Sequence, residues 1–357
     1  MPTIDADAHV VESEHTWDFI PPEGQKYRPI VVSPHGESGQ QYWMVDGKIR
    51  GVARQVITAQ QFEEMSRVAG RNMSTPEETR EMENVEARLH HMDELGIDVQ
   101  ILYPTIFISP VADRPEWDVP ICQGYNRWLA DIWRRSHGRL RWVCMPPLLD
   151  MDAAVEELSF CKENGACAVF MRGIEKDRLL HEPYHYPIFA EAERLDLAIG
   201  VHIAHGTPWL DDLLGQSFGG FWRFRMATVG AFHSVIGTGL PEKFPRLRMA
   251  FVEAAAGWVP YVLQDLNRRL AARGRKLPER PLKDYRLYVT CQTDDDLEYI
   301  MRYAGEDNLV IGTDYGHNDQ STEVEALRNL KDKGGITPAQ YQKIAFENAK
   351  ALYALEV

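Results

Sequence analysis

Carboxylate and imidazole side chains follow several apolar runs of this 357-residue chain, and in combination they have the chemistry of a metal site. The first pair is Asp7 and His9, at the end of a short strand-like run near the N-terminus. Side chains alternate faces along a strand, so Asp7 and His9 point to the same side. Two such groups at the end of a strand can hold a divalent metal. The alternative is a surface aspartate and a loop histidine after an edge strand.

Further candidate ligands end later apolar runs. They are His202, Glu253 and Asp314, at the ends of the fifth, sixth and eighth runs. Burying a lone carboxylate costs several kcal/mol unless it is paired or coordinated, so the convergence of these groups with Asp7 and His9 predicts a shared cation. A set of carboxylates and imidazoles without thiolates suits zinc, manganese or iron, as one ion or two.

Each candidate also has a structural role open to it. His202 could be a satisfied core histidine, and Asp314 could cap the turn that follows it. Glu253 could pair with Arg172, which ends the fourth run. Three further histidines are weaker candidates, of which we expect at most one to take part in the chemistry: His205, His233 and His317.

Eight short apolar runs, alternating with helical patterns from residue 82 onward, must position these side chains. This alternation implies parallel strands covered by helices. We therefore predict a TIM (β/α)8 barrel, in which functional side chains lie at the C-terminal ends of the strands. An open doubly wound sheet is the main alternative. We expect a single domain, residues 1–357, with an insertion after the first strand, residues 13–80, and an extra C-terminal helix.

Composition limits the partners of the chain. Its 39 basic and 53 acidic residues give a formal net charge of −14, which argues against nucleic acid or an anionic membrane as a partner. No basic and apolar leader and no run of roughly 18 apolar residues is present, so a cytoplasmic location is expected. The five cysteines are scattered, without a C-x-x-C pair, and predict reduced thiols. A small-molecule substrate and a homo-oligomer are expected.

Several motifs occur in a characteristic order: Ile4-Asp5-Ala6-Asp7-Ala8-His9, Leu95-Gly96-Ile97-Asp98-Val99, Gly200-Val201-His202, Gly312-Thr313-Asp314-Tyr315 and Glu347-Asn348-Ala349. In this order the chain resembles the amidohydrolase-related (amidohydrolase 2) family of metal-dependent TIM-barrel enzymes. That family includes the aminocarboxymuconate-semialdehyde, resorcylate and carboxyvanillate decarboxylases.

The resemblance implies roles for individual residues. Asp7 and His9 would occupy the H-x-H metal pair, with Asp7 in place of the first histidine. His202 would be the ligand on strand five, and Asp314 the ligand and base on strand eight. Two departures from the family pattern follow. Glu253 stands where the decarboxylases usually carry histidine, and Arg172 stands where two-metal members often carry a carbamylated lysine. With Glu253 as a fifth ligand, the carboxylate-rich site could hold two metals, including a di-iron centre.

Metal-assisted hydrolysis is the leading functional hypothesis, with Asp314 or Glu253 accepting the proton of an activated water. The alternatives are non-oxidative decarboxylation of an aromatic or unsaturated acid, oxygenation at a non-haem di-iron centre, and a degenerate barrel that only binds a ligand. The aromatic segment 206–225 suggests a lid or a packing surface, and a largely apolar or aromatic substrate with a carboxylate. The residues expected to contact the substrate are Tyr103, Arg172, His205, Trp222 and His317, with Arg223 and Arg225 as further candidates.

Overall fold

The computed structural model describes residues 1–356 except 35, 37–39, 55–58, 205, 208, 209, 211, 212 and 214–219. Its main element is a sheet of eight parallel strands in chain order. The strands are β1 (Ile4–His9), β2 (Val99–Tyr103), β3 (Leu140–Cys144), β4 (Ala166–Arg172), β5 (Ala198–His202), β6 (Met249–Val252), β7 (Leu287–Cys291) and β8 (Leu309–Ile311).

The segment after β8 closes the sheet against β1. The backbone N–H groups of Thr313 and Asp314 both donate to the carbonyl of Asp7, at 3.1 and 2.9 Å. A Cβ at Gly312 would come within 2.3 Å of the Cβ of Asp7, so the approach of the two segments requires glycine. The predicted TIM barrel is confirmed, and the open-sheet alternative is wrong.

Buried polar side chains stabilise the contact between β1 and the segment after β8. The Asp5 carboxylate is fully buried and accepts from the backbone N–H and the hydroxyl of Thr313, at 2.9 and 2.5 Å. It also accepts from Gln100 Nε2 at 2.8 Å, and the Gln100 oxygen accepts from the buried Arg88 at 2.7 Å. The hydrogen bonds therefore hold β1, β2 and the segment after β8 in one register, which sets the positions of the side chains above them.

Helices cover the outside of the barrel between successive strands. They are Val85–Leu95, Pro115–Arg135, Met151–Glu163, Tyr186–Leu195, Arg225–Thr238, Val259–Ala271, Leu297–Ala304 and Ala326–Lys333. The helix Val85–Leu95 has typical caps. The Asn84 side chain accepts from the N–H of Ala87 at its N-terminus, and Gly96, with a φ of 73°, ends it. The C-terminal helical region consists of Pro338–Gln342, a π-helical turn Lys343–Glu347 and Asn348–Tyr353.

The chain between β1 and β2 contains several additional elements. A three-stranded antiparallel sheet is formed by Ile30–Val32, Gln41–Val45 and Lys48–Arg54. The helices Ala59–Ala69 and Glu77–Arg80 follow it. The sequence pattern predicts a helix from residue 82, but Met82 has a φ of 56°, so the helix begins only at Val85.

All five cysteines are buried and unpaired, as expected of reduced thiols. Within the part of the chain that the structure describes, no helix combines the length and the apolar character needed to cross a bilayer.

Candidate metal centre

The predicted ligands meet at the C-terminal ends of β1, β5, β6 and β8. One group of ligand atoms, all within 4.8 Å of one another, comes from Asp7, His9, His202 and Glu253. A second group, with the same spacing, comes from His9, Glu253, Asp314 and His317. The two groups share His9 and Glu253, so the residues could surround one ion or two.

The two imidazoles of the first group are oriented by backbone carbonyls. His9 Nδ1 lies 3.0 Å from the oxygen of Pro104, and His202 Nδ1 lies 3.3 Å from the oxygen of Ile203. A carbonyl oxygen can only accept, so Nδ1 carries the proton in both rings. The two Nε2 atoms lie 3.1 Å apart, close enough for both to bind one cation. This is the arrangement in which backbone partners orient metal-binding histidines.

Carboxylate oxygens surround the two Nε2 atoms. Asp7 Oδ1 is 3.5 Å from both of them, Glu253 Oε2 is 3.1 Å from His202 and Asp314 Oδ1 is 3.4 Å from His9. These residues are at most 4% exposed, and among the described residues only imidazole nitrogens lie beside Asp7 Oδ1, Asp314 Oδ1 and the two oxygens of Glu253 as possible donors. Buried carboxylate oxygens whose polar neighbours are imidazole nitrogens fit a divalent cation.

The pKa shifts within the cluster also favour a bound cation. Burial, together with the charge of His317, lowers the pKa of His9 to about 3. Burial alone would also lower the pKa of His202, but hydrogen bonds to Asp7 and Glu253 outweigh it and raise that pKa well above its usual range. Burial raises the pKa of both Glu253 and Asp314. Without a cation, therefore, the cluster must retain protons to limit its charge.

Two of the candidate ligands have unusual backbone conformations. Glu253 has a φ of 66° and Asp314 a φ of 51°, in the left-handed region. A non-glycine residue held there costs about 1–3 kcal/mol and persists only where its surroundings impose it. The backbone N–H of Glu253 is fixed by the Thr290 hydroxyl at 2.6 Å, and that of Asp314 by the carbonyl of Asp7. The turns direct both carboxylates over the barrel mouth.

His317 is the histidine among the three weaker candidates that reaches the centre. Its ring stacks on that of His9 with centroids 3.7 Å apart, and its Nδ1 lies 2.8 Å from Asp314 Oδ1. Its Nε2 lies 3.0 Å from the Thr105 hydroxyl, which itself donates to the carbonyl of Val10 at 2.7 Å. Because that hydroxyl proton is engaged, Nε2 of His317 is the donor to Thr105.

The other two weak candidates do not contribute described contacts to the centre. His233 lies on an outer helix, where its Nε2 is 3.0 Å from Asp265 Oδ2. His205 lies outside the described residues.

A pocket of about 520 Å³ opens beside His317. Its apolar walls include Val52, Ile106, Ile108 and Phe224, and three arginines also line it, Arg50, Arg80 and Arg223. Phe224 also borders a neighbouring pocket of about 740 Å³, which is lined in addition by Arg225. Arg223 therefore lies on the pocket next to the centre and Arg225 on the neighbouring one.

Three residues predicted to bind substrate have other surroundings. Tyr103 is fully buried, with its ring 5.1 Å from that of His202 and its hydroxyl 3.0 Å from that of Tyr353. It supports the imidazoles from the barrel interior. Trp222 is 55% exposed and packs against Phe221.

The guanidinium of Arg172 is held by other groups of the protein. Its guanidinium pairs with Glu175 Oε2 at 2.6 Å, and its Nε donates to the carbonyl of Phe107 at 2.9 Å. The alternative that Arg172 pairs with Glu253 is therefore wrong. The side chain turns toward the segment after β2, because the Glu175 carboxylate and the buried carbonyl of Phe107 both accept hydrogen bonds there.

Sequence reasoning missed two residues that hold the site. Glu12, 2% exposed, accepts from the backbone N–H groups of Thr105 and Ile106 at 3.1 and 2.9 Å. Thr322 donates to Asp314 Oδ2 at 2.7 Å. An acidic residue directly after the first strand was the available signal for Glu12. No pattern marks Thr322.

A closed (β/α)8 barrel with histidine and carboxylate ligands at its C-terminal face is the architecture of a metal-dependent TIM-barrel enzyme. A family model described as Amidohydrolase matches residues 4–355, and the chain belongs to the amidohydrolase family. The resemblance inferred from its motifs is confirmed. The protein is an enzyme, of the hydrolase or lyase class.

Individual proteins that the chain resembles have low sequence identity to it. The chain is similar to gamma-resorcylate decarboxylase of Rhodococcus jostii (strain RHA1), with 26% identity over 303 residues, which is 76% of this chain and 88% of that protein. An amidohydrolase structure from Mycobacterium avium subsp. paratuberculosis K-10 has a TM-score of 0.76 at 19% identity, with 99% of each chain covered. A dihydroxybenzoic acid decarboxylase from Polaromonas sp. JS666, determined with manganese and 2-nitroresorcinol, has a TM-score of 0.67 at 19% identity, covering 100% of this chain and 98% of that one. The two structures share the fold.

Proposed function

We propose that this enzyme decarboxylates a small, largely apolar or aromatic carboxylic acid without oxidation, using a divalent cation bound at the barrel mouth. The observation that carries the proposal is the convergence of buried carboxylate oxygens and two imidazole Nε2 atoms beside a pocket with apolar walls and arginines. The reaction class is supported by the named relative in Rhodococcus jostii, a decarboxylase of an aromatic acid.

Asp7, His9, His202 and Asp314 would hold the cation, with Glu253 as an additional ligand. A divalent cation supplies a Lewis acid, which can bind the substrate carboxylate and, in hydrolysis, lower the pKa of bound water. Manganese in the Polaromonas relative supports such a cation here, and the ligand types suit zinc or iron as well.

The chain's own residues would manage the proton. In decarboxylation the carbon that loses carbon dioxide keeps the electron pair of the broken bond and gains one proton. Asp314 would deliver it; this role is supported by the contact of Oδ2 with Thr322 and by the distance of 2.8 Å between Oδ1 and His317 Nδ1. The His317 ring, held by Thr105 at its other nitrogen, can return a proton to Asp314 afterwards. Apolar walls at Ile106 and Phe224 would limit the access of water.

Hydrolysis is a second candidate, favoured by one specific observation. Both oxygens of Glu253 are buried, and among the described residues the only possible donor beside them is His202 Nε2, 3.1 Å from Oε2. Such a carboxylate can accept the proton of an attacking water. Because the two ligand groups share His9 and Glu253, a second ion is also compatible with the site, which keeps a di-iron oxygenase as a further alternative.

The metal content and the reaction products test these candidates together. The purified protein would be analysed by mass spectrometry for metals, then loaded with manganese, zinc or iron and supplied with aromatic acids and with aryl amides and esters. We expect release of carbon dioxide from an acid without oxygen uptake. Cleavage of an amide or ester without carbon dioxide would overturn the proposal in favour of hydrolysis, and oxygen consumption with two irons per chain would overturn it in favour of oxygenation.

A further inference from the structure

We infer that Arg80 binds a second anionic group of the substrate, which makes the substrate a dicarboxylic acid with an apolar body. The inference rests on the proposed function, because it assigns one carboxylate to the cation and the other to this arginine. After reaction the remaining carboxylate would stay paired with Arg80, so the product would be a monocarboxylic acid.

The first observation is that Arg80 is available to a ligand. Its half-buried side chain lines the 520 Å³ pocket, with the guanidinium 5.8 Å from the ring centre of Phe62. Among the described residues its guanidinium has no carboxylate partner and no hydrogen bond. Arg50, in the same pocket, is already bound to Asp113 at 2.6 Å. The backbone of Arg80 is fixed, since its carbonyl accepts from the N–H of Val11 at 2.9 Å.

The second observation is the charge of the pocket. The whole chain has a net charge of −14, but three arginines and only two glutamates, Glu77 and Glu81, line this pocket. Arginines that outnumber carboxylates along a concave surface of an otherwise acidic protein favour the binding of anions there. Guanidinium groups recognise carboxylates with two parallel hydrogen bonds, so an aryl carboxylate matches the free donors of Arg80.

The third observation is that the pocket joins the arginine to the centre. His317 and Arg80 line the same pocket, with Val52, Ile106 and Ile108 on its walls. A volume of about 520 Å³ lies in the range of small-molecule sites and exceeds what a single aromatic ring requires. A planar diacid with its ring against the apolar walls can therefore have one end at the cation and the other at Arg80.

Binding of two simple probes tests the inference without requiring turnover. Benzoate and isophthalate would be titrated by calorimetry into the manganese-loaded enzyme and into three variants. We expect isophthalate to bind the unmodified enzyme about tenfold more tightly than benzoate, and Arg80→Met to remove this preference. Arg80→Lys should retain part of it. Arg67→Met is the matched control, because Arg67 lies on the surface, pairs with Glu64 and lines neither pocket.

The outcomes distinguish failure of the anion site at Arg80 from failure of the proposed decarboxylation. An isophthalate preference that survives in Arg80→Met, with Arg80→Gln as a second variant, would overturn the inference even if carbon dioxide release from monocarboxylic acids supports the proposed function. A preference that disappears in both variants would support the anion site, even if no acid is decarboxylated and the proposed function fails. Since the Arg80 guanidinium makes no hydrogen bond to the described protein, both variants should fold, which a thermal melt would verify.

Discussion

The Nε of Arg172 donates to the carbonyl oxygen of Phe107 at 2.9 Å, which joins the end of β4 to the segment that follows β2. This segment, residues 104–109, is part of the site in two ways. Its first residue, Pro104, accepts from His9, and its later residues Ile106 and Ile108 line the pocket. A contact made outside the centre therefore helps to fix both a candidate metal ligand, His9, and the wall of the pocket.

Replacement of Arg172 by Met should be strongly destabilising. It would leave the buried carboxylate of Glu175 without its ion-pair partner and the carbonyl of Phe107 without this donor, and breaking a buried pair in this way typically costs about 3–5 kcal/mol. Urea denaturation would measure the loss in the free energy of unfolding. Arg302→Met is the control, since Arg302 pairs with Glu298 on the surface and should change stability by about 1 kcal/mol at most. Equal effects of the two substitutions would contradict the assignment.

Glu12 holds the same segment at its N–H groups, and it should give the enzyme a pH-dependent stability. Burial raises the pKa of Glu12 to about 7, from an ordinary value of 4.5. A raised pKa means that the folded state binds the proton more tightly. The corresponding stability is full below the ordinary value and is lost as the pH rises through about 7.

Glu12→Gln cannot ionise, so the variant should lack this loss. The free energies of unfolding of the two proteins, measured from about pH 4 to pH 8, should therefore converge or cross as the pH rises. Glu14→Gln, on the exposed surface two residues away, is the control and should run parallel to the unmodified protein. Parallel curves for Glu12→Gln as well would show that the buried carboxyl does not titrate in this range.

The barrel was predictable because each inner strand is a short apolar run with a clear end. The predicted run 166–172 coincides with β4, and 99–103 with β2. The helix predicted from residue 121 instead begins at Pro115, because prolines near a helix N-terminus remove few hydrogen bonds. In the insertion, register shifts between Gln41–Val45 and Lys48–Arg54 interrupt the alternation, so the second of these strands left no clean pattern.

The convergence of the candidate ligands was predictable because a carboxylate at the end of a buried strand is costly without a partner. The side chains that hydrogen-bond to the backbone of a distant segment were not predictable. Glu12 and Thr105 are 93 positions apart, and Arg172 and Phe107 are 65 apart. Their pairing depends on carbonyl and N–H groups that every residue carries, so side-chain type alone could not indicate which way Arg172 would turn.

Metal binding should stabilise the folded enzyme through the facing imidazoles. A cation at about 100 times its dissociation constant adds about 2.7 kcal/mol, so manganese or zinc should raise the melting temperature by a few degrees and a chelator should reverse the rise. His202→Ala removes one of the two lone pairs and should abolish most of the shift. His233→Ala, whose histidine is bound to Asp265 on an outer helix, should retain it. An unchanged shift in His202→Ala would place the cation elsewhere.

Asp314→Asn should abolish turnover and leave the fold intact. Asparagine keeps an oxygen that can accept from Thr322 and a backbone N–H for the carbonyl of Asp7, but it cannot carry the proton that Asp314 exchanges with His317. Loss of a positioned acid or base typically lowers kcat by about 100- to 10,000-fold. Asp319→Asn, an exposed neighbour in the same segment, should keep most of the activity and serves as the control. Melting curves would verify that both variants fold, and full activity of Asp314→Asn would refute its role in proton transfer for decarboxylation and hydrolysis alike.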